Sequence, residues 1–106
     1  MIDVSNAEFS VGQVVRHKLF GYLGVVYDVD PEFALDPEWY EVMARSRPPK
    51  DKPWYHVLVD GHSHSTYVAE RNLEIAESQR TIVHPALSTY FVTRRNGVYE
   101  TRRGFN

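Results

Sequence analysis

The residues best suited to chemistry in this chain are its histidines. His62 and His64 stand two apart, with His56 shortly before them. On a strand, a spacing of two puts both imidazoles on one face, where zinc or copper could bind. A structural or catalytic zinc takes about four ligands, and no cysteine or neighbouring carboxylate pattern completes the set, so no metal is expected. Asp60 and His62-Ser63-His64-Ser65 also contain the residue types of a serine hydrolase. Neighbours in one short turn rarely align a nucleophile, a base and its orienting acid, and no Gly-x-Ser-x-Gly elbow is present. Gly21-Tyr22-Leu23-Gly24 lies between strand-like runs and not ahead of a helix, which excludes a phosphate loop. No cofactor and no catalysis are expected.

Binding chemistry has more candidates. Arg16 and His17 follow Val14 and Val15, and two readings stand for them: a phosphate or acidic-partner contact, or a solvated strand face with Arg16 paired to a nearby acid. Arg94, Arg95, Arg102 and Arg103 would gather four guanidinium groups across a hairpin, a geometry suited to phosphate or carboxylate. As single residues they equally suit a charged edge strand that discourages aggregation. Trp54, Tyr55, Tyr22 and Tyr67 could form an aromatic platform for a base or an unfolded segment, or simply core. Trp54 and Tyr55 point to opposite faces; Tyr55 belongs with Val57 and Val59 in the core, and Trp54 stays open between core and partner surface.

These side chains must be positioned by strands. In Val11 to Val29 two strand-like runs flank Leu19-Phe20-Gly21, and Leu23, Val25, Tyr27 and Val29 fall on one face at period two. Asp30-Pro31 ends the second run. Five of the six prolines then lie between Pro31 and Pro53, which marks residues 31–53 as an excursion from the sheet. Within it Asp36 can cap a short helix with Pro37 at its first position, placing Trp39, Val42 and Met43 on one face. Arg45 to Pro53 reads as an irregular, mobile connection. Trp54 to Val59 has apolar residues on both faces, as an internal strand does, and Ser65 to Ala69 pairs with it as a hairpin. Ala69 to Glu74 resembles a single helical turn. In the final segment Asn96-Gly97 is a type I′ hairpin signal, setting Arg95 opposite Val98 and Arg94 opposite Tyr99.

With 106 residues there is room for one domain and one core. The composition, 42% hydrophobic and 25% charged, is that of a globular protein and disfavours disorder. The start offers no signal peptide and no stretch reaches the roughly 20 apolar residues of a membrane helix, so a cytoplasmic location and no membrane partner are expected. Absent cysteine fits that compartment. A net charge of −2 is unlike a protein held mainly to phosphates, and only the arginine-bearing tail is locally basic.

Two blocks carry a family signature. The first is Gly12-Gln13-Val14-Val15-Arg16-His17 leading to Gly21-Tyr22-Leu23-Gly24-Val25-Val26 and Asp30-Pro31; the second is Pro53-Trp54-Tyr55-His56-Val57 leading to Thr66-Tyr67-Val68-Ala69-Glu70 and Asn72-Leu73. In order, spacing and the Trp-Tyr-His triplet they resemble the HspQ family of heat-shock proteins, also called the YccV-like hemimethylated-DNA-binding family. The resemblance covers about residues 9–74. It implies a mainly β domain, a small SH3-like β-barrel, with a barrel core at 9–74, the excursion at 31–53, and an extension at 75–106 carrying the hairpin. It also implies a non-enzymatic stress-response protein that promotes degradation of unstable or denatured proteins by an ATP-dependent protease. The alternative it implies is a hemimethylated double-stranded DNA-binding regulator. The opening strands also resemble those of RNA- or polymerase-binding SH3-like modules. A homo-oligomer is compatible with the sequence. The tail departs from the family pattern, so no partner surface is carried over there.

Overall fold

The computed structural model describes residues 6–77 and 81–102. Nine elements follow in order: β1 (Val14–His17), β2 (Leu23–Asp30), α1 (Pro37–Met43), β3 (Trp54–Val59), β4 (Ser65–Ala69), β5 (Leu73–Ile75), α2 (Leu87–Tyr90), β6 (Phe91–Arg95) and β7 (Val98–Thr101). The first five strands form one antiparallel sheet in the order β4-β3-β2-β1-β5, and β6 and β7 form a separate hairpin. The domain is mainly β, as expected. Its large sheet curls without a ladder between β4 and β5; a 3-10 turn at Glu70–Asn72 carries the chain from one edge to the other. The helical turn expected up to Glu74 is shorter than that, because Leu73-Glu74-Ile75 alternates and pairs with β1.

Both faces of the sheet are covered, which explains the apolar residues on both sides of β1, β2 and β3. Val15, Val26, Tyr55, Val57, Val68 and Leu73 pack with Phe9 on one face. Val14, Val25 and Leu58 pack on the other against Ile82, Phe91 and Tyr99 from the C-terminal segment. The tail is therefore part of the core. Period two along β2 holds for Leu23, Val25 and Tyr27 but fails at Val29, which packs with Val26. The register shifts between Val26 and Asp28, and such a bulge turns every later side chain to the opposite face.

The hairpin follows its sequence closely. Asn96 and Gly97 have φ of 53° and 82°, the left-handed pair that a type I′ turn needs, and Arg95 faces Val98 while Arg94 faces Tyr99. It docks through backbone: Gly12 N–H donates to Val26 O (2.8 Å), and Gly12 O accepts from Tyr99 N–H (2.8 Å). Ile82 N–H donates to the Tyr99 hydroxyl (2.9 Å), tying the preceding link to the same ring.

The excursion folds over the end of β3 and β4. Asp36 caps α1, its Oδ1 accepting from Trp39 N–H at 2.9 Å, with Pro37 in the first turn. The buried side chain of the helix is Tyr40, followed by buried Ala44, whereas Val42 and Met43 are exposed. The shared face expected for Trp39, Val42 and Met43 is thus divided, because the stripe facing the sheet begins one residue later. Arg45 to Pro53 is irregular but tied down: Pro48 O accepts from Tyr40 Oη (2.7 Å) and Pro49 O from Trp54 Nε1 (3.1 Å).

Candidate functional site: an aromatic groove beside an edge strand

Five rings, Phe33, Trp39, Tyr40, Trp54 and Tyr67, pack between the excursion and the sheet. Trp54 stacks on Tyr67 with centroids 5.1 Å apart, and Phe33 meets Trp54 edge-on at 5.1 Å. Trp54 is only 2% exposed, in a cluster with Tyr40, Ala44 and Ala69. The question left open by the sequence is answered: Trp54 is core, because the excursion covers the face that Tyr55 does not occupy. Tyr55 occupies the other face with Val57, its hydroxyl donating to Glu70 Oε2 (2.6 Å).

Next to these rings runs a groove of about 510 Å³. One wall is the β1–β2 turn with His17, Leu19, Phe20 and Tyr22, and the other is α1 and its C-terminal end, with Trp39, Met43 and Arg45. Ser65 to Ala69 of β4 form its floor. Leu19 (63% exposed), Phe20 (77%) and Met43 (60%) present apolar surface to solvent around it. Isolated exposed apolar residues are ordinary, but several converging on one concavity make it the candidate site.

His17 holds the turn wall in shape. Its Nδ1 accepts from Leu19 N–H (3.1 Å) and Phe20 N–H (3.2 Å), and its ring stacks on Phe20 at 4.6 Å. Burial pushes the imidazole below its ordinary pKa of 6.5, so the neutral ring is the one suited to this site. A proton on Nδ1 would turn that acceptor into a donor and break both bonds. Because the folded pKa lies below the unfolded one, this contribution to stability is present above the unfolded value. It is lost as pH falls through that value toward the lowered folded one. Urea midpoints are therefore expected to fall as pH drops below about 6.5, and His17→Asn, which keeps an acceptor that does not titrate, should lose that part of the slope.

The other candidates are placed differently. Arg16 lies opposite Glu74, and its Nε donates to Glu74 Oε2 at 2.7 Å; this is the acid-paired strand face that the sequence offered as one reading. The pair is well exposed, so Arg16→Ala should change thermal stability by no more than about 1 kcal/mol. Arg94 sits over the Tyr99 ring (5.5 Å) and Arg95 approaches Glu100 (3.7 Å). Arg102 Nε donates to Ser88 O (2.6 Å), and Arg103 lies outside the described residues. Alternation along β6 separates Arg94 from Arg95, so the described arginines serve three local contacts and form no common phosphate fork.

Among the described residues, one group has the spacing to hold a cation: Asp28, Asp30 and His56. It differs from the histidine set suggested by sequence, since His56 turns to Asp30 (Nε2 to Oδ2, 3.1 Å) while Asp30 Oδ2 also accepts from Tyr67 Oη (2.7 Å). Burial, and then that carboxylate, push the Tyr67 hydroxyl well above its ordinary pKa of 10.0, keeping it a donor. The interaction fixes the ring on the groove floor. The turn at Asp60 is likewise structural, with Oδ1 accepting from Val83 N–H (2.7 Å).

Leu19, Phe20 and Met43 are not among the site residues expected from sequence. Their signal was present in the apolar pair Leu19-Phe20 between two strand-like runs, where a turn is normally polar.

The domain is small and mainly β, with an aromatic-walled groove and, among the described residues, no common cluster of the arginines of the hairpin. A model of the family described as hemimethylated DNA-binding protein YccV like matches residues 7–98. The chain belongs to the YccV-like family. The match passes beyond the sheet into the hairpin, in agreement with the tail's place in the core.

Proposed function

We propose that this protein is a non-enzymatic, cytoplasmic stress-response factor that binds unfolded polypeptide in the groove and promotes its degradation by an ATP-dependent protease. The observation that carries this reading is the concentration of exposed apolar side chains, Leu19, Phe20 and Met43, around one concave aromatic surface. Unfolded chains display the apolar segments such a surface removes from water, at about 25 cal/mol for each Å² buried. An overall charge of −2 gives little drive toward phosphate. In a purified ATP-dependent protease reaction with an unstable client, the protein should accelerate turnover. The double substitution Leu19→Ser, Phe20→Ser should abolish the acceleration without lowering the melting temperature. Turnover that is the same with and without the wild-type protein would overturn the reading.

The family description supports a second reading, recognition of hemimethylated duplex DNA. Its mark would be tighter binding to hemimethylated than to fully methylated or unmethylated duplexes, with a logarithmic salt slope near −0.9 per phosphate contacted. Equal affinity for all three duplexes would remove it.

A further inference from the structure

The two sides of the groove are joined by a strand edge. In the β3–β4 ladder, Val59 N–H donates to His64 O and Glu70 N–H to Pro53 O. With Tyr55 opposite Val68 and Val57 opposite Thr66, these contacts fix which pairs are hydrogen-bonded: His64, Thr66, Val68 and Glu70 turn their backbone groups toward β3. Ser65, Tyr67 and Ala69 therefore turn theirs away from β3, along an edge that no other described strand covers; Ser65 and Tyr67 reach solvent there, while Ala69 is 3% exposed beneath the excursion. Side chains alternate across the same edge. Val68 packs on one face of the sheet and Thr66 bonds Tyr22 Oη there (2.7 Å), while Tyr67 and Ala69 pack on the other with Trp54. The groove is lined from both faces, with the edge between them.

Edge strands are normally blunted by proline, by lysine or by a covering segment. Ser65-Thr66-Tyr67-Val68-Ala69 contains neither residue, and no described strand pairs with its outer side. Basic groups collect at the Ala69 end. Arg45 makes no ion pair among the described residues, Arg71 donates to Ser46 O through its guanidinium, and Lys18 lies alongside through its backbone N–H, which donates to Asn72 O. All three cations are exposed.

We infer that β4 is a docking edge, to which an extended segment of a client polypeptide adds as a further strand. The segment's side chains alternate between the Phe20–Tyr22 wall and the Trp39–Met43 wall, so that apolar residues two apart meet the same wall, and a flanking acidic side chain meets Arg45. Main-chain hydrogen bonds supply affinity for many sequences, and the walls select the alternating pattern, as in other strand-addition complexes. This inference rests on the reading of the groove as a polypeptide site and adds the way the polypeptide is held.

The test uses acetylated and amidated peptides of the pattern Asp-Val-Thr-Val-Thr-Val-Thr, titrated into the full chain and followed by backbone amide shifts. Two N-methylated sets are compared, one blocking the Val amides and the other the Thr amides. Strand addition uses amides of alternate residues only, so one set should lose about tenfold or more in affinity while the other binds as the parent does. Arg45→Glu should weaken the parent by about threefold to tenfold and restore binding to a peptide with Lys in place of Asp. Equal tolerance of both methylated sets, with the parent still bound, would overturn strand addition while leaving the polypeptide reading intact. Failure of every peptide and of an unfolded client to bind would overturn both. Shifts on hemimethylated duplex at Ser65, Tyr67 and Ala69, with none on peptide, would also overturn both.

Discussion

Trp54→Ala is expected to lower stability by about 3–5 kcal/mol, the cost of deleting a large buried aromatic ring whose surroundings cannot fully collapse. The ring stacks on Tyr67, meets Phe33 and Trp39 edge-on, and donates its indole N–H to Pro49 O, so it joins α1, the irregular connection and β3. Its removal should be felt first in the excursion. Proteolysis ought to cut between residues 44 and 53 under conditions where the wild-type chain is resistant, and denaturant unfolding should show the loss in its midpoint. Trp54→Phe keeps a ring but not the hydrogen bond and should cost about 1–3 kcal/mol. A midpoint for Trp54→Ala within about 1 kcal/mol of wild type would contradict the placement of this residue in the core.

The second large effect is expected at Gly12. It has φ of +97°, and a Cβ placed on it would stand 2.0 Å from the carbonyl oxygen of Tyr99. Both the backbone conformation and the close approach exclude a side chain. Gly12→Ala should therefore separate the β6–β7 hairpin from the sheet and cost about 3 kcal/mol, a drop of roughly 10–20 °C in melting temperature for a domain of this size. Hydrogen exchange at Ile82 and Tyr99 should accelerate together, since Gly12 holds Tyr99 and the Tyr99 hydroxyl holds Ile82. Unchanged exchange there would contradict the docking of the hairpin through this glycine.

Local rules made much of the fold legible. Period-two patterning placed β1, β2, β3 and β4, the Asp36-Pro37 pair placed the start of α1, and Asn96-Gly97 fixed the hairpin register. The β2 bulge was hidden because Tyr27 and Val29 are both plausible on either face, and only pairing with β3 reveals that one residue is extra. The three-residue β5 was too short for any periodicity to register, and its strand identity comes from β1.

The site was less legible for the same reason: it is made by contacts far apart in sequence. Charge drew attention to Arg94, Arg95 and Arg102, yet each of these three finds a local partner once the hairpin forms. His17 reads as a basic neighbour of Arg16 but is buried and neutral, an acceptor for its own turn. Phe20 and Met43 become neighbours of one groove only when the excursion folds back beside β4. Of the aromatic platform suggested by sequence, Tyr22 and Tyr67 line the groove, Trp54 is almost wholly buried behind it and Tyr55 lies in the core of the other face; Trp39 and Phe20 join the groove from outside that set.

The central claim, that the groove takes unfolded polypeptide, is tested most directly by mapping backbone and aromatic NMR shifts of the full chain during titration with an unfolded client. The account predicts shifts concentrated at residues 17–22, 39–46 and 65–69, abolished by Leu19→Ser, Phe20→Ser with the remaining spectrum unchanged. Shifts centred on residues 91–102, or a client that binds the double variant as tightly as wild type, would contradict it.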